Sequence, residues 1–295
     1  MAKITSSQAF AAALLACGLS AAPAEAGPNR TFVSGTGTDS GTCTRTAPCR
    51  TFAFALTQTN AGGEIDVLDP AGYGAVTIAK AISIVNDGAG TAGITASSGN
   101  GVTINAGTRD SVHLRGLTIE GLDTGSNGIQ FSTGGNLAIE NCVIRGFRFV
   151  GVNIKPTGSA NVTGLLSKVI MDNNGEDGII VNGSSLTPAT LFVTVVDSVA
   201  SNNGFNGIEA VSVAGAALTR VVVRNSVANY NGAAGLSAGG AMRHSILSVG
   251  HSVVTGNATG VDDTGGTGVI LSYGDNEIDG NTFDIEGVLT PIPAR

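Results

Sequence analysis

The sequence predicts an all-β solenoid, a right-handed parallel β-helix with three short strands per coil and about nine to ten coils. Three observations carry that expectation. The segment starting at Val195 (VVDSVASNNGFNGI) matches the one starting at Val223 (VRNSVANYNGAAGL) at an offset of 28, with Val, Ser, Val, Ala, Asn, Gly and Gly kept in place. Apolar residues alternate with period two, as strands facing a core require. Glycine is abundant at 44 residues, Trp is absent and charged residues are 13%, which suits short strands with tight turns rather than a helical bundle or a charged disordered chain.

The first 26 residues are expected to be a signal peptide: Lys3 supplies the charge, Ala9 to Ala22 the apolar run, and Ala24-Glu25-Ala26 the cleavage pattern. That run is too short, and too interrupted by Gly18 and Ser20, for a transmembrane segment. An alternative takes Leu14-Leu15-Ala16-Cys17 as a lipoprotein box with a lipid on Cys17, although Leu15 fits it poorly. Either way the expected location is secreted or periplasmic, where disulfides persist. Cys43 and Cys49, with five residues between them in a Gly- and Pro-containing loop, are the natural pair. Residues 27–62 are read as an N-terminal cap segment, with Phe52, Ala55 and Leu56 at helical spacing in a short capping helix.

The solenoid is placed at 63–287. Its regular coils have anchors Leu117, Cys142, Val169, Ser198, Ser226, Ser252 and Asn276. Inward partners two residues later run from Ile119 to Ile278, and three residues earlier from Leu114 to Tyr273. A stack five residues earlier ends at Leu271. A third strand carries Ile129, Val152, Ile179, Ile208, Leu236, Val261 and Ile285. Five residues after the anchors stand Asn174, Asn203, Asn231, Asn257 and Asn281. Asn tolerates left-handed backbone angles and its amide can bond the coils on either side, so these are expected to form a structural ladder. Ser198, Ser226 and Ser252 are expected to be an internal hydroxyl stack, with Cys142 a buried free thiol beside it. The tail 288–295 holds Pro291 and Pro293, which oppose further strand addition.

The stretch TFVSGTGTDSGTCTRTAPCRTFAFALTQTNAGGEIDVLDPAGYGAVTI, followed by Asn- and Gly-punctuated coils, resembles bacterial right-handed β-helix repeat proteins of the pectate-lyase-like superfamily. That resemblance implies the fold and leaves the chemistry open, since the superfamily holds polysaccharide lyases, hydrolases, epimerases and proteins of no known activity. The Arg-x-Pro-x-x-Arg motif of pectate lyases is missing. Of the polygalacturonase motifs only Asp262-Asp263 has a counterpart.

Outward columns supply the candidate chemistry. Asp275 is placed to orient His251 as a general base, with Arg224 and Asp197 within two coils. Glu209, Asp262 and Glu286 fall in one column at separations that suit paired carboxylates binding or cleaving a sugar chain. Asp262, Asp263, Asp284 and Glu286 crowd the last coils, where calcium is the cation their oxygens would suit; no cofactor is otherwise required. Net charge is −7 without a Lys/Arg cluster, so nucleic acid is excluded as a partner. The expected partner is an acidic or neutral polysaccharide. The primary reading is a non-enzymatic envelope or extracellular polysaccharide-binding protein. The alternative is a polysaccharide-modifying lyase, hydrolase or epimerase.

Overall fold

A computed structural model describes residues 27–240, 244–264 and 268–292. The expected signal peptide and Cys17 lie outside them. The chain winds through three parallel sheets of eleven, nine and nine strands, each strand pairing with its counterpart one coil away. Nine coils therefore complete all three sheets, and the fold is a right-handed parallel β-helix. One coil shows the pattern: Thr190–Val196 in the first sheet, Val199–Ser201 in the second and Ile208–Ser212 in the third.

The first sheet extends beyond 63–287 at both ends. Arg30–Val33 pairs with Gly63–Val67, and Leu289–Pro291 pairs with Gly268–Ser272. Pro291 therefore closes the outermost strand, where no ladder donor is needed. Between the first two strands lie the Cys43–Cys49 disulfide and the helix Phe52–Gln58. Thr51 caps that helix by accepting a hydrogen bond from the Phe54 amide at 3.2 Å. Phe52, Ala55 and Leu56 are buried, so the helix covers the apolar opening of the first coil. Lys80 donates to the carbonyls of Leu56 and Thr59 and closes the helix's other end.

Inside, the corner between the first and second sheets is held by side chains that continue the backbone ladder. The Val169 amide donates to Ser198 Oγ at 3.1 Å, the Ser198 amide to Ser226 Oγ at 3.2 Å, and the Ser226 amide to Ser252 Oγ at 3.2 Å. Each hydroxyl donates back to a carbonyl two residues earlier, as Ser198 does to Val196 at 2.8 Å. Cys142 acts in the same way: its Sγ lies 3.5 Å from the Leu117 amide and 3.2 Å from the Glu140 carbonyl. Burial pushes its thiol up to about 11.

The corner between the second and third sheets holds the asparagines. Asn174 Nδ2 donates to Asn203 Oδ1 at 3.0 Å, Asn203 to Asn231 at 3.0 Å, Asn231 to Asn257 at 2.9 Å and Asn257 to Asn281 at 2.9 Å. The backbone amides of these residues donate to the same oxygens. At one end Asn174 Oδ1 accepts the Phe147 amide, and at the other Asp284 Oδ1 accepts from Asn281 Nδ2 at 3.1 Å. The ladder starts at Asn174 because buried Phe147 fills the equivalent space in the preceding coil.

Two sequence assignments require correction in the last coil. Val249 pairs with Ser272 and Leu247 with Ile270, so the inward residues are Ser272 and Ile270 rather than Tyr273 and Leu271. One extra residue separates this strand from the Asn276 anchor, and Tyr273 turns outward, 37% exposed. Ile285 pairs with Val261 as expected but remains 48% exposed, because no described strand lies beyond it in the third sheet.

Candidate functional site

The tight corners after the successive first-sheet strands from Val162–Ser167 to Ser245–Gly250 are left-handed, with φ of 56° at Lys168, 52° at Asp197, 50° at Asn225 and 50° at His251. This conformation is uncommon outside glycine and projects each side chain outward from the solenoid. His251 consequently stands 58% exposed beside the next coil's Asp275. The carboxylate engages it twice: Oδ1 accepts the His251 backbone N–H at 2.9 Å, and Oδ2 lies 2.5 Å from Nδ1. Binding Nδ1 in this way leaves Nε2 as the outward-facing ring nitrogen.

Around this pair the structure gathers two more side chains. A β-carbon placed on Gly250 would stand 3.1 Å from the Tyr273 ring, 3.2 Å from Arg224 Nη1 and 3.3 Å from Asp275 Oδ1. An aromatic ring, a guanidinium and a carboxylate thus pack together over the bare glycine. Arg224 lies 6.0 Å from the Tyr273 ring centroid, within cation–π range. The residue that breaks the inward register, Tyr273, is therefore the one that completes this corner. Asp197 stays apart, its carboxylate bound by the Asn225 amide one coil before His251.

The carboxylate column on the third sheet is in register but does not converge. Glu209 pairs with Ser237, Ser237 with Asp262 and Asp262 with Glu286. Asp262 accepts from Thr264 N at 2.8 Å and Glu286 from Thr259 Oγ1 at 2.8 Å. Asp263 accepts from the Val288 amide at 2.6 Å, and Asp284 is committed to Asn281. Each of the four carboxylates expected to hold calcium is turned toward its own local donor. Among the described residues, no group of three or more His, Cys, Asp or Glu is arranged to hold a metal ion.

A buried acid absent from the sequence reading lies beside that column. Asp177 is 5% exposed and accepts the Asn206 amide at 2.9 Å. Burial pushes its carboxyl up to about 6, against that hydrogen bond, with the Glu176 charge adding to the rise. Glu209 is pushed up to about 7, by burial first and then by the Asp177 charge. The signal for Asp177 was a second ladder. Asn127 Oδ1 accepts the Val150 amide at 3.1 Å and Asn206 Oδ1 the Ala234 amide at 3.0 Å, so polar residues recur two places before the third-strand core residue.

No known protein family and no curated protein matches the chain. Comparison of folds finds pectate lyase Pel9A, at 18% identity and a TM-score of 0.65, over 82% of this chain and 67% of that one. The A-module of the Azotobacter vinelandii mannuronan C-5 epimerase AlgE4 matches at 14% identity and a TM-score of 0.38, over 79% and 91%. An ORF18 protein of Geobacillus virus E2 matches at 11% identity and a TM-score of 0.38, over 73% and 50%. The fold is a β-helix of the pectate-lyase-like kind. At these identities the likeness defines architecture, and the chemistry rests on the side chains.

Proposed function

We propose that the protein is an extracellular β-helix that binds acidic polysaccharide at the His251 corner. The convergence of Arg224, Tyr273 and Asp275 on Gly250, beside His251, carries this reading. A guanidinium binds a uronate carboxylate through paired hydrogen bonds, and a tyrosine ring offers an apolar face to a sugar. The disulfide suits an oxidising compartment, and no helix among the described residues is long and apolar enough to cross a membrane. Affinity electrophoresis through gels containing polygalacturonate, alginate or neutral glucan tests the reading. Retardation by an acidic gel is expected, with loss in Arg224→Ala and Tyr273→Ala; equal mobility in all gels refutes it.

The contact between His251 and Asp275 supports a second, catalytic reading. A neutral imidazole held at Nδ1 can accept a proton at Nε2, and the acidic proton beside a uronate carboxylate is a suitable one to remove. Loss of the leaving sugar oxygen would then give an unsaturated end, whereas proton return to the opposite face would give the epimer. Incubation with polygalacturonate and alginate, followed by ultraviolet absorbance and proton NMR of the chain, separates the outcomes. Unsaturated ends or altered epimer content that disappear in His251→Ala support catalysis, and unchanged polymer leaves binding alone.

A further inference from the structure

A cleft of about 500 Å³ opens at the other end of the solenoid, on the outer side of the first sheet. Arg30, Arg45, Glu64, Asp66 and Asp87 line it, with Gly88, Ala89 and the apolar Val67, Leu68 and Val85. It spans the strands Arg30–Val33, Gly63–Val67 and Ile82–Val85, the last of them six rungs from the strand before His251, or about 29 Å at the usual spacing.

The three supporting elements fix its side chains. Parallel pairing sets Arg30 opposite Glu64, and Arg30 Nη2 donates to Glu64 Oε1 at 2.5 Å while its Nε lies 3.4 Å from Asp66 Oδ2. Arg45 belongs to the disulfide loop and faces the Phe32 ring at 5.6 Å, with no carboxylate partner among the described residues. Asp87 is held by Arg115 Nε at 2.9 Å. Burial, and after it the Glu64 charge, raises the Asp66 carboxyl above the usual carboxylate range.

The charge of this wall selects its ligand. Three carboxylates, Glu64, Asp66 and Asp87, line the cleft with two guanidiniums, Arg30 and Arg45, and Arg115 outside the lining pairs with Asp87. An anion would meet the acids, and a cation would compete with Arg30 for Glu64 and Asp66. An apolar molecule would strand the polar lining without hydrogen bonds. A neutral molecule with many hydroxyl groups avoids all three penalties, since each hydroxyl donates to a carboxylate and accepts from a guanidinium. The volume lies within the range of about 300 to 1,000 Å³ of small-ligand clefts. We propose that this cleft is a separate binding site for a short stretch of neutral polysaccharide. It does not depend on the acidic-polysaccharide reading of the His251 corner.

Calorimetric titration of the intact protein with cellotriose, xylotriose, mannotriose and trigalacturonate tests the proposal. Saturable binding of at least one neutral trisaccharide is expected, weakened about tenfold by Arg45→Ala and by Asp87→Asn and unchanged by Arg224→Ala. Two variants are used because Arg45 also contacts the cap, and the melting temperature of each shows that the fold is kept. Absence of saturable heat with all three neutral sugars overturns the proposal. So does binding that survives both cleft variants, that is lost in Arg224→Ala, or that is tighter for trigalacturonate at the Arg45-dependent site. Failure of the acidic reading would leave these results unchanged.

Discussion

Replacing Asp177 by Asn should stabilise the protein at neutral and alkaline pH and have little effect in acid. Asp177 is nearly inaccessible, and its Oδ1 serves only the Asn206 amide among its described hydrogen bonds. An Asn carbonyl can accept the same bond without a charge. Because the folded carboxyl is raised from 3.8 to about 6, the native state between those values holds a proton that the unfolded chain has released. Stability therefore falls as pH rises through that window, and the full cost is in place above about 6. A rise of about two pH units corresponds to about 3 kcal/mol, which is the ceiling for the gain from Asp177→Asn at pH 8. Well below pH 3.8 both folded and unfolded wild-type chains are protonated and the advantage should vanish. Removing the Asp177 charge should also lower the Glu209 pKa from about 7, because that charge is its second-largest cause. Urea unfolding of both proteins from pH 4 to 8 measures the difference. A difference that does not vary with pH, or destabilisation at pH 8, would refute the assignment of Asp177 as a buried ionised acid.

Asn231→Leu should cost about 3 kcal/mol or more, because it removes the acceptor of Asn203 and the donor to Asn257 from a buried site. A chemical-denaturation midpoint unchanged within error would contradict it. Cys142→Ser should stay within about 1 kcal/mol of wild type, since Ser holds this position in later coils, whereas Cys142→Val should cost about 1 to 3 kcal/mol by leaving the Leu117 amide without its sulfur acceptor. The raised thiol pKa and burial also predict that the native protein resists a thiol reagent until unfolded; fast native labelling would show the opposite. Cys43→Ser combined with Cys49→Ser should lower stability by about 2 kcal/mol, the modest effect of a short loop, and an unaltered melting temperature would remove the disulfide from the cap's stability.

The coils from Leu117 to Val254 were legible because each places one small or apolar residue at the same inward position, at constant spacing from its anchor although the coils differ in length. Legibility failed where the spacing inside a coil changed. The extra residue between Ser272 and Asn276 moved Tyr273 from core to surface, and no alternation of apolar residues reveals such a bulge. Arg30 could not be matched to Glu64 because the cap is inserted between two strands that are neighbours in the sheet. The union of His251 and Asp275 was visible, since both occupy one column across adjacent coils. Arg224 was placed within reach of it as well, and the missing member was Tyr273, whose direction the repeat did not reveal. For the acidic column, register predicted which residues were neighbours but not where their carboxylates would turn, which Thr259, Thr264, Asn281 and the Val288 amide decide locally.

The asparagine ladder has a direction. From Asn174 to Asn257 each rung donates one Nδ2 hydrogen to the following asparagine and accepts through Oδ1 from the preceding coil, while Asn203, Asn231 and Asn257 also donate from Nδ2 back to a carbonyl of the preceding coil, so the side-chain carbonyls all point the same way along the solenoid. Aligned peptide dipoles give a helix a partly positive end where its N–H groups are unsatisfied, and an acid placed there is stabilising. By the same electrostatics the positive end of this side-chain stack is Asn281, and Asp284 lies against it, accepting from both the backbone amide and Nδ2. Asp284 thus acts as a capping acid for a dipole built from side chains. A coil inserted among the asparagines would lengthen that dipole without moving its cap, provided it brought an asparagine of its own.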